Sequence, residues 1–237
     1  MTSESATVAE EEYLQSLFWL QEAGLPMTGA NVARAMQLSA PTVHEMVGRL
    51  ERDGYITRAK DRAIAFTPTG AEHAEGIVRR HRLIERFLTD VLGVPWDEVH
   101  EEAERLEHAM SPVLEQRMLV AIGDAKTCPH GHPIVAGVRV TGVPLADVAV
   151  GASVRVLRFE NEAEDLLHYL KGSGLEPGLQ GTLEAHDDEQ VVLTAPDGRR
   201  CVVTTSVAET VSVVADPSPP PRTALPEHLV LGQRYGR

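Results

Sequence analysis

The chain has 237 residues, 43% hydrophobic and 24% charged, enough for one large domain or two to three small ones with substantial cores. Its net charge of −13 argues against general affinity for nucleic acid, and no apolar run approaches the ~18 residues that a membrane span needs. The polar, acidic start MTSESATVAEEEY lacks the basic flank and apolar stretch of a signal peptide, so a cytoplasmic protein with no membrane association is expected, with Cys128 and Cys201, far apart and in no CxxC pair, as free thiols rather than ligands.

Residues 10–23 (EEEYLQSLFWLQEA) place Tyr13, Leu14, Leu17, Phe18 and Leu20 at helical spacing, and Gly24 ends the run. Thr28 can cap a second helix through Met36. Ser39 can cap a third, with Pro41 in its first turn and Val43, Met46, Val47 and Leu50 on one face before Gly54. Tyr55–Arg58 and Ala63–Thr67 alternate apolar and polar residues around the charged turn Lys60-Asp61-Arg62, which predicts a β-hairpin. Helix, helix-turn-helix, hairpin is the order of a winged helix. Charge agrees: from Met27 to Gly70 six Arg/Lys stand against four acids, net +2 inside a strongly acidic chain.

Pro68-Thr69-Gly70 leads into a long helix over 71–92, whose stripe Ile77, Leu83, Ile84, Phe87, Leu88 and Val91 suits a spine between domains or a dimer face. After Gly93-Val94-Pro95, residues 96–110 predict another helix, and Ser111-Pro112 begins a further one to about Gly123. KTCPHGHPIVAG (126–137) reads as a loop. Beyond Pro144 short β-type runs follow at 150–159, 181–185, 190–193, 200–204 and 211–214, interrupted by one short helix at 162–170. Five such strands predict a small SH3-like barrel. The Pro-rich end is expected to be disordered or loosely docked. The fold class is mainly α with β.

On the helix 96–110, His100, Glu104, Glu107 and His108 fall at i, i+4, i+7 and i+8, within about a third of the helical circumference. His81 and Glu85 share a face of the preceding helix, and antiparallel packing would bring them to the same cluster. Glu12 can complete a site with Glu104, Glu107 and His108. Converging carboxylates and imidazoles suit a divalent metal and repel one another without one. The competing reading is a solvated acidic face. A metallohydrolase is a further alternative, since an open coordination position and a free Glu can activate water, although no HExxH, nucleophile-elbow or phosphate-loop motif occurs.

Five stretches, EEYLQSLFWL, SAPTVHEMVGRLERDGYI, FTPTGAEHAEGIVRRHRLIERFLTDVLGV, VHEEAERLEHAMSP and CPHGHPI, resemble the diphtheria toxin repressor/manganese transport regulator family of metal-dependent transcriptional repressors, and the similarity covers nearly the whole chain. The resemblance implies a winged-helix DNA-binding domain (1–74), a helical metal-binding and dimerisation domain (75–143), an SH3-like domain of the ferrous-transport accessory type (144–216) and a Pro-rich tail (217–237). It implies a homodimer that binds palindromic double-stranded operator DNA, and two metal sites per subunit. The primary regulatory site would be Glu12, Glu104, Glu107 and His108. The ancillary site would be His81, Glu85 and His100 with a third-domain ligand, Glu160 in the first instance, with Asn161 or Glu164 as alternatives. Iron sensors of the family carry Met and Cys at the positions of Glu12 and Glu104. Two carboxylates there are hard donors and point to Mn²⁺, with Fe²⁺ as the alternative and Zn²⁺, Co²⁺ or Cd²⁺ able to substitute in vitro.

On DNA, Ser39, Pro41, Thr42 and His44 open the recognition helix and would face the groove or its phosphates. Arg49, Lys60 and Arg62 would contact phosphates, setting affinity rather than sequence. Glu45 can accept from a cytosine amine.

Overall fold

The structure, a computed structural model, describes residues 6–60, 62–135 and 140–217. Helix α1 (Val8–Glu22) opens with a capping box: the Thr7 hydroxyl accepts from the Glu10 N–H, and the Glu10 carboxylate accepts from the Thr7 N–H at 2.7 Å. Thr28 and Ser39 cap α2 (Gly29–Ala35) and α3 (Ala40–Arg52) as the sequence predicts. Strands β1 (Ile56–Arg58) and β2 (Ile64–Phe66) pair antiparallel, with Ile56 opposite Phe66. Of the expected wing turn, Asp61 lies outside the described residues. Leu14, Leu17 and Leu20 of α1 pack with Val32, Val43, Val47, Leu50, Ile56 and Ile64 into one core, which reaches along the next helix to Ile77.

That helix, α4 (Pro68–Leu92), starts three residues earlier than periodicity predicts, because Thr67 caps the Gly70 N–H and Pro68 takes the first turn. Gly93, at φ 72°, closes it in the left-handed region. Helix α5 (Val99–Glu107) is shorter than the predicted 96–110. Trp96 instead packs on His130 and Phe159, and Asp97 pairs with Lys171, so residues 96 and 97 serve the third domain. Ser111 caps α6 (Pro112–Ala121). Leu83, Ile84, Leu88, Val99, Ala103 and Met118 form the second core.

The third unit is an antiparallel sheet of β3 (Val143–Pro144), β4 (Ser153–Phe159), β5 (Gln180–His186), β6 (Gln190–Thr194), β7 (Arg200–Thr204) and β8 (Val211–Asp216), in the order β3-β8-β4-β5-β6-β7. The five long strands are those read from the sequence; β3 is an addition at one edge. The meander β4 to β7 with β8 returning beside β4 is the SH3-like order, and bulges in β4 and β5 curl it around Phe159, Leu183, Val191 and Val213. Helix α7 (Glu164–Gly172) begins two residues later than predicted, since the Asn161 side chain accepts from the Ala163 N–H and holds 161–163 as a turn. The expectation of disorder for the Pro-rich tail falls on residues 218–237, outside the described residues. No helix among the described residues is long and apolar enough to cross a membrane.

The winged helix is seated on α4 at Gly70, where an added Cβ would stand 1.8 Å from the Tyr55 carbonyl oxygen. Gly70→Ala should therefore destabilise the protein by roughly 2–3 kcal/mol through forced displacement of the hairpin backbone. Urea denaturation with an unchanged midpoint would show that this contact does not constrain the fold.

Candidate metal centre and DNA face

Helix α1 crosses α4 and presents Glu11, Gln15, Trp19 and Glu22 from one face, spaced by four, four and three residues. Each side chain reaches a different partner. Gln15 Nε2 donates to Glu107 Oε2 at 3.1 Å, and the Trp19 ring lies 6.0 Å from His81 and 6.3 Å from His100. Glu22 receives both guanidinium nitrogens of the buried Arg82, at 2.5 and 3.2 Å, and Arg82 also donates to the Pro133 carbonyl at 3.0 Å. The DNA-binding unit is thus fastened along the rim of a buried polar cluster.

The cluster takes His81 and Glu85 from α4, His100 from α5, Cys128 and His130 from the loop before the third domain, and Glu162 from the turn after β4. His81, Glu85, His100 and Glu162 form one set, and Glu85, Cys128, His130 and Glu162 a second; within each set one ligand atom per residue lies within 4.8 Å of all the others. His81 Nε2 is 3.0 Å from Glu85 Oε1 and 3.1 Å from His100 Nδ1, and His100 Nδ1 is 3.1 Å from Glu162 Oε2. His130 Nδ1 lies 3.2 Å from Glu85 and 3.6 Å from Glu162.

The side chains of Glu85 and Glu162 are 0% and 6% exposed, so two carboxylates share a dry site and need positive charge beside them. Here the imidazoles supply it. Burial favours neutral His81, but Glu85 and Glu107 outweigh it and hold its pKa well above the imidazole range. His100 rises to about 9, burial being overcome by hydrogen bonds to Glu162 and Glu85. Burial pushes Glu85 up, yet His130 and His81 hold it well below the carboxylate range. Burial lifts the Cys128 thiol to about 11. Glu85 Oε2 and His100 Nε2 are buried without a hydrogen-bond partner among the described residues. Oxygen, nitrogen and sulfur donors gathered in this way fit a divalent cation, which would take over the charge balance now held by imidazolium as the rings give up their protons.

The structure brings His81, Glu85 and His100 together, as the resemblance implied. It corrects Glu160. The Glu160 N–H still belongs to the sheet, donating to the Thr210 carbonyl, and its carboxylate receives Ser212 Oγ and pairs with Arg158 at 2.7 Å. Asn161 caps its own turn and Glu164 is exposed at the start of α7. The third-domain residue that faces the cluster is Glu162. Its companions Cys128 and His130 were also missed, although Cys-Pro-His-Gly-His carries three donors at alternate positions. Cys128 is a free thiol, as expected, but belongs to the cluster rather than standing apart from it.

The four residues expected at the primary site are neighbours that do not converge on one point among the described residues. Glu107 Oε2 is 2.7 Å from His81 Nδ1, and its Oε1 is 3.4 Å from His108 Nε2. Glu104 Oε1 stands 3.8 Å from His100 Nε2. His108 Nδ1 meets Glu11, not Glu12, at 2.6 Å. That hydrogen bond, opposed by burial and helped by Glu107 and Glu12, raises the His108 pKa. Glu11 and Glu107 flank the His108 ring from its two nitrogens, while Glu104 lies nearer His100.

On α3, Ser39, Pro41, Thr42, His44 and Glu45 are exposed, on the face opposite Val43, Val47 and Leu50. Lys60 and Arg62 stand exposed at the wing tip, Arg62 at φ 68°. Arg49, its side chain 45% exposed, has its Nε 2.8 Å from the buried Glu10 carboxylate, which ties α3 to the start of α1.

Residues 6–64 match the family described as iron dependent repressor, N-terminal DNA binding domain, and residues 67–136 match iron dependent repressor, metal binding and dimerisation domain. The iron-dependent repressor IdeR of Mycobacterium tuberculosis is 34% identical over 220 residues, covering 86% of this chain and 95% of that protein. The diphtheria toxin repressor of Corynebacterium diphtheriae is 41% identical over 140 residues, 59% of this chain and 62% of that one. Among solved structures, a manganese-dependent transcriptional repressor in complex with manganese superposes with a TM-score of 0.78 at 28% identity, covering 87% of this chain and 99% of that one. These likenesses remove the metallohydrolase alternative, because the family is one of DNA-binding repressors that bind metal and dimerise. With identity above 30% across most of both chains, and a cluster that could hold a metal ion where the units meet, the chain belongs to the diphtheria toxin repressor/manganese transport regulator family of metal-dependent transcriptional repressors.

Proposed function

We propose that the protein senses Mn²⁺ and, as a homodimer, represses metal-uptake genes by binding palindromic operators. The observation that carries the metal preference is the donor chemistry at Glu12 and Glu104: with Glu107 and His108 the primary set is three carboxylates and one imidazole, with no sulfur. Hard oxygen donors suit Mn²⁺, although raw affinity rises from Mn²⁺ toward Cu²⁺, so selectivity rests on geometry, ligand count and supply. Fe²⁺ is the second reading, favoured by the names of the relatives and by Cys128 in the deeper cluster. Zn²⁺, Co²⁺ and Cd²⁺ would substitute in vitro.

Glu12, Glu104, Glu107 and His108 would hold a divalent cation, which would supply the positive charge that the three carboxylates need to stand together. The chain's own residues do the rest. Glu12 draws the N-terminal helix against the dimerisation helices, and the stripe Gln15, Trp19 and Glu22 keeps α1 in register with α4. Val113 and Val120 of α6, 72% and 80% exposed, with Leu106 and Leu92, offer the apolar face for the second subunit. The two recognition helices are then spaced for successive major grooves, about 34 Å or a multiple apart. Ser39, Pro41, Thr42 and His44 face the groove or its phosphates, and Arg49, Lys60 and Arg62 the backbone. Arg49 braces α3 through Glu10.

Glu104→Ala combined with Glu107→Ala is expected to abolish metal-dependent operator binding in a mobility-shift titration while leaving a folded dimer by sedimentation; unchanged binding sinks the regulatory assignment. Glu12→Met combined with Glu104→Cys is expected to raise the response to Fe²⁺ relative to Mn²⁺ when both are titrated anaerobically in parallel. An unmoved ranking removes the selectivity claim.

A further inference from the structure

Glu11 immediately precedes the expected ligand Glu12, yet its carboxylate points to a different task. Its Oε2 lies 2.6 Å from His108 Nδ1, and its Oε1 lies 3.3 Å from Arg80 Nη2 on α4. The two side chains in the hydrogen bond are largely shielded from solvent, at 16% and 12% exposure. His108 Nε2, the opposite ring nitrogen, faces Glu107 Oε1 at 3.4 Å. An ionised carboxylate can only accept, so Glu11 requires the proton on Nδ1. The neutral ring then carries its lone pair on Nε2, on the side where Glu107 stands. His108 is the C-cap of α5, beyond the last helical turn, so the helix itself does not fix its ring.

We infer that Glu11 is the positioning residue of the primary metal site: held by Arg80, it fixes the tautomer and ring plane of His108 so that Nε2 is presented for coordination. The inference rests on the reading of His108 as a ligand. Metal-bound histidines commonly donate their second N–H to an outer carboxylate, which sets ring orientation and strengthens the ligand. Here that carboxylate comes from the DNA-binding unit. The orientation of α1 and the readiness of the metal site are therefore one variable: swinging α1 away removes Glu12 and also releases His108 to turn.

The test is Mn²⁺ affinity of the full-length dimer, by competition with a fluorescent indicator, together with the His108 ring tautomer, by ¹⁵N NMR on the metal-free protein at a pH where the ring is neutral. Glu11→Ala is expected to weaken Mn²⁺ about 10–100-fold and to erode the Nδ1–H tautomer of His108. Glu11→Gln, whose amide oxygen still accepts, is expected to keep most of both. Glu11→Asp, which keeps the charge but is one methylene too short, is expected to behave like Glu11→Ala and serves if that variant fails to fold. Wild-type affinity in the Ala or Asp variant overturns the inference, and so does a weakened affinity with the tautomer intact, because Glu11 would then act through packing alone. His108→Ala separates the two levels: wild-type Mn²⁺ affinity there overturns the ligand reading, whereas a loss there without one in the Glu11 variants overturns only the role of Glu11.

Discussion

The structure turns on the burial of carboxylates where its three units meet. Glu85, Glu107 and Glu162 are all but removed from solvent, and each comes from a different element. Isolated carboxylates in such a place cost several kcal/mol each unless cations and hydrogen bonds accompany them. His81, His100 and His130 are packed among them, and together they form a centre whose net charge can be balanced either by protons on the rings or by a divalent ion with the rings neutral. No single unit carries the full set: the dimerisation helices lack Glu162, and the third domain lacks every histidine of the cluster. Assembly of the units and completion of the site are therefore the same event.

The DNA-binding unit is coupled to that centre through one face of α1. Gln15 touches Glu107, Trp19 covers His81 and His100, and Glu22 grips Arg82, which in turn holds the loop carrying Cys128 and His130. At the start of the same helix Glu10 braces Arg49 of the recognition helix. Contacts thus run without a break from the cluster through α1 to the proposed DNA face on α3. It also follows that α1 has a dual identity, with Leu14, Leu17 and Leu20 in the winged-helix core and the polar stripe outside it.

Much of this was legible in the sequence because local rules sufficed. Caps at Thr28 and Ser39, the Ser111-Pro112 start, glycine stops and alternating strands placed the elements, and i, i+4 spacing paired His81 with Glu85 and His100 with Glu104. What stayed hidden depended on tertiary approach. Glu162 could not be told from Glu160, since the chain leaves the sheet between them and only the Asn161 turn decides which side chain faces inward. Cys128 and His130 sit in a loop without periodicity, where Gly131, at φ 95° and with a would-be Cβ 1.9 Å from the Leu157 carbonyl oxygen, lets the backbone press against β4. Arg49 sat among the basic residues of a plausible DNA face, and only the fold reveals that its charge is engaged by Glu10.

The central claim is that metal and DNA are read by one conformational equilibrium, which requires their affinities to be reciprocally coupled. The most direct measurement is calorimetric titration of Mn²⁺ into the dimer alone and into the dimer saturated with a duplex selected from random sequence by the Mn²⁺-loaded protein. The account predicts that DNA tightens Mn²⁺ binding by the same factor by which Mn²⁺ tightens DNA binding, on the order of 5–150-fold. Equal Mn²⁺ affinities with and without DNA would contradict it.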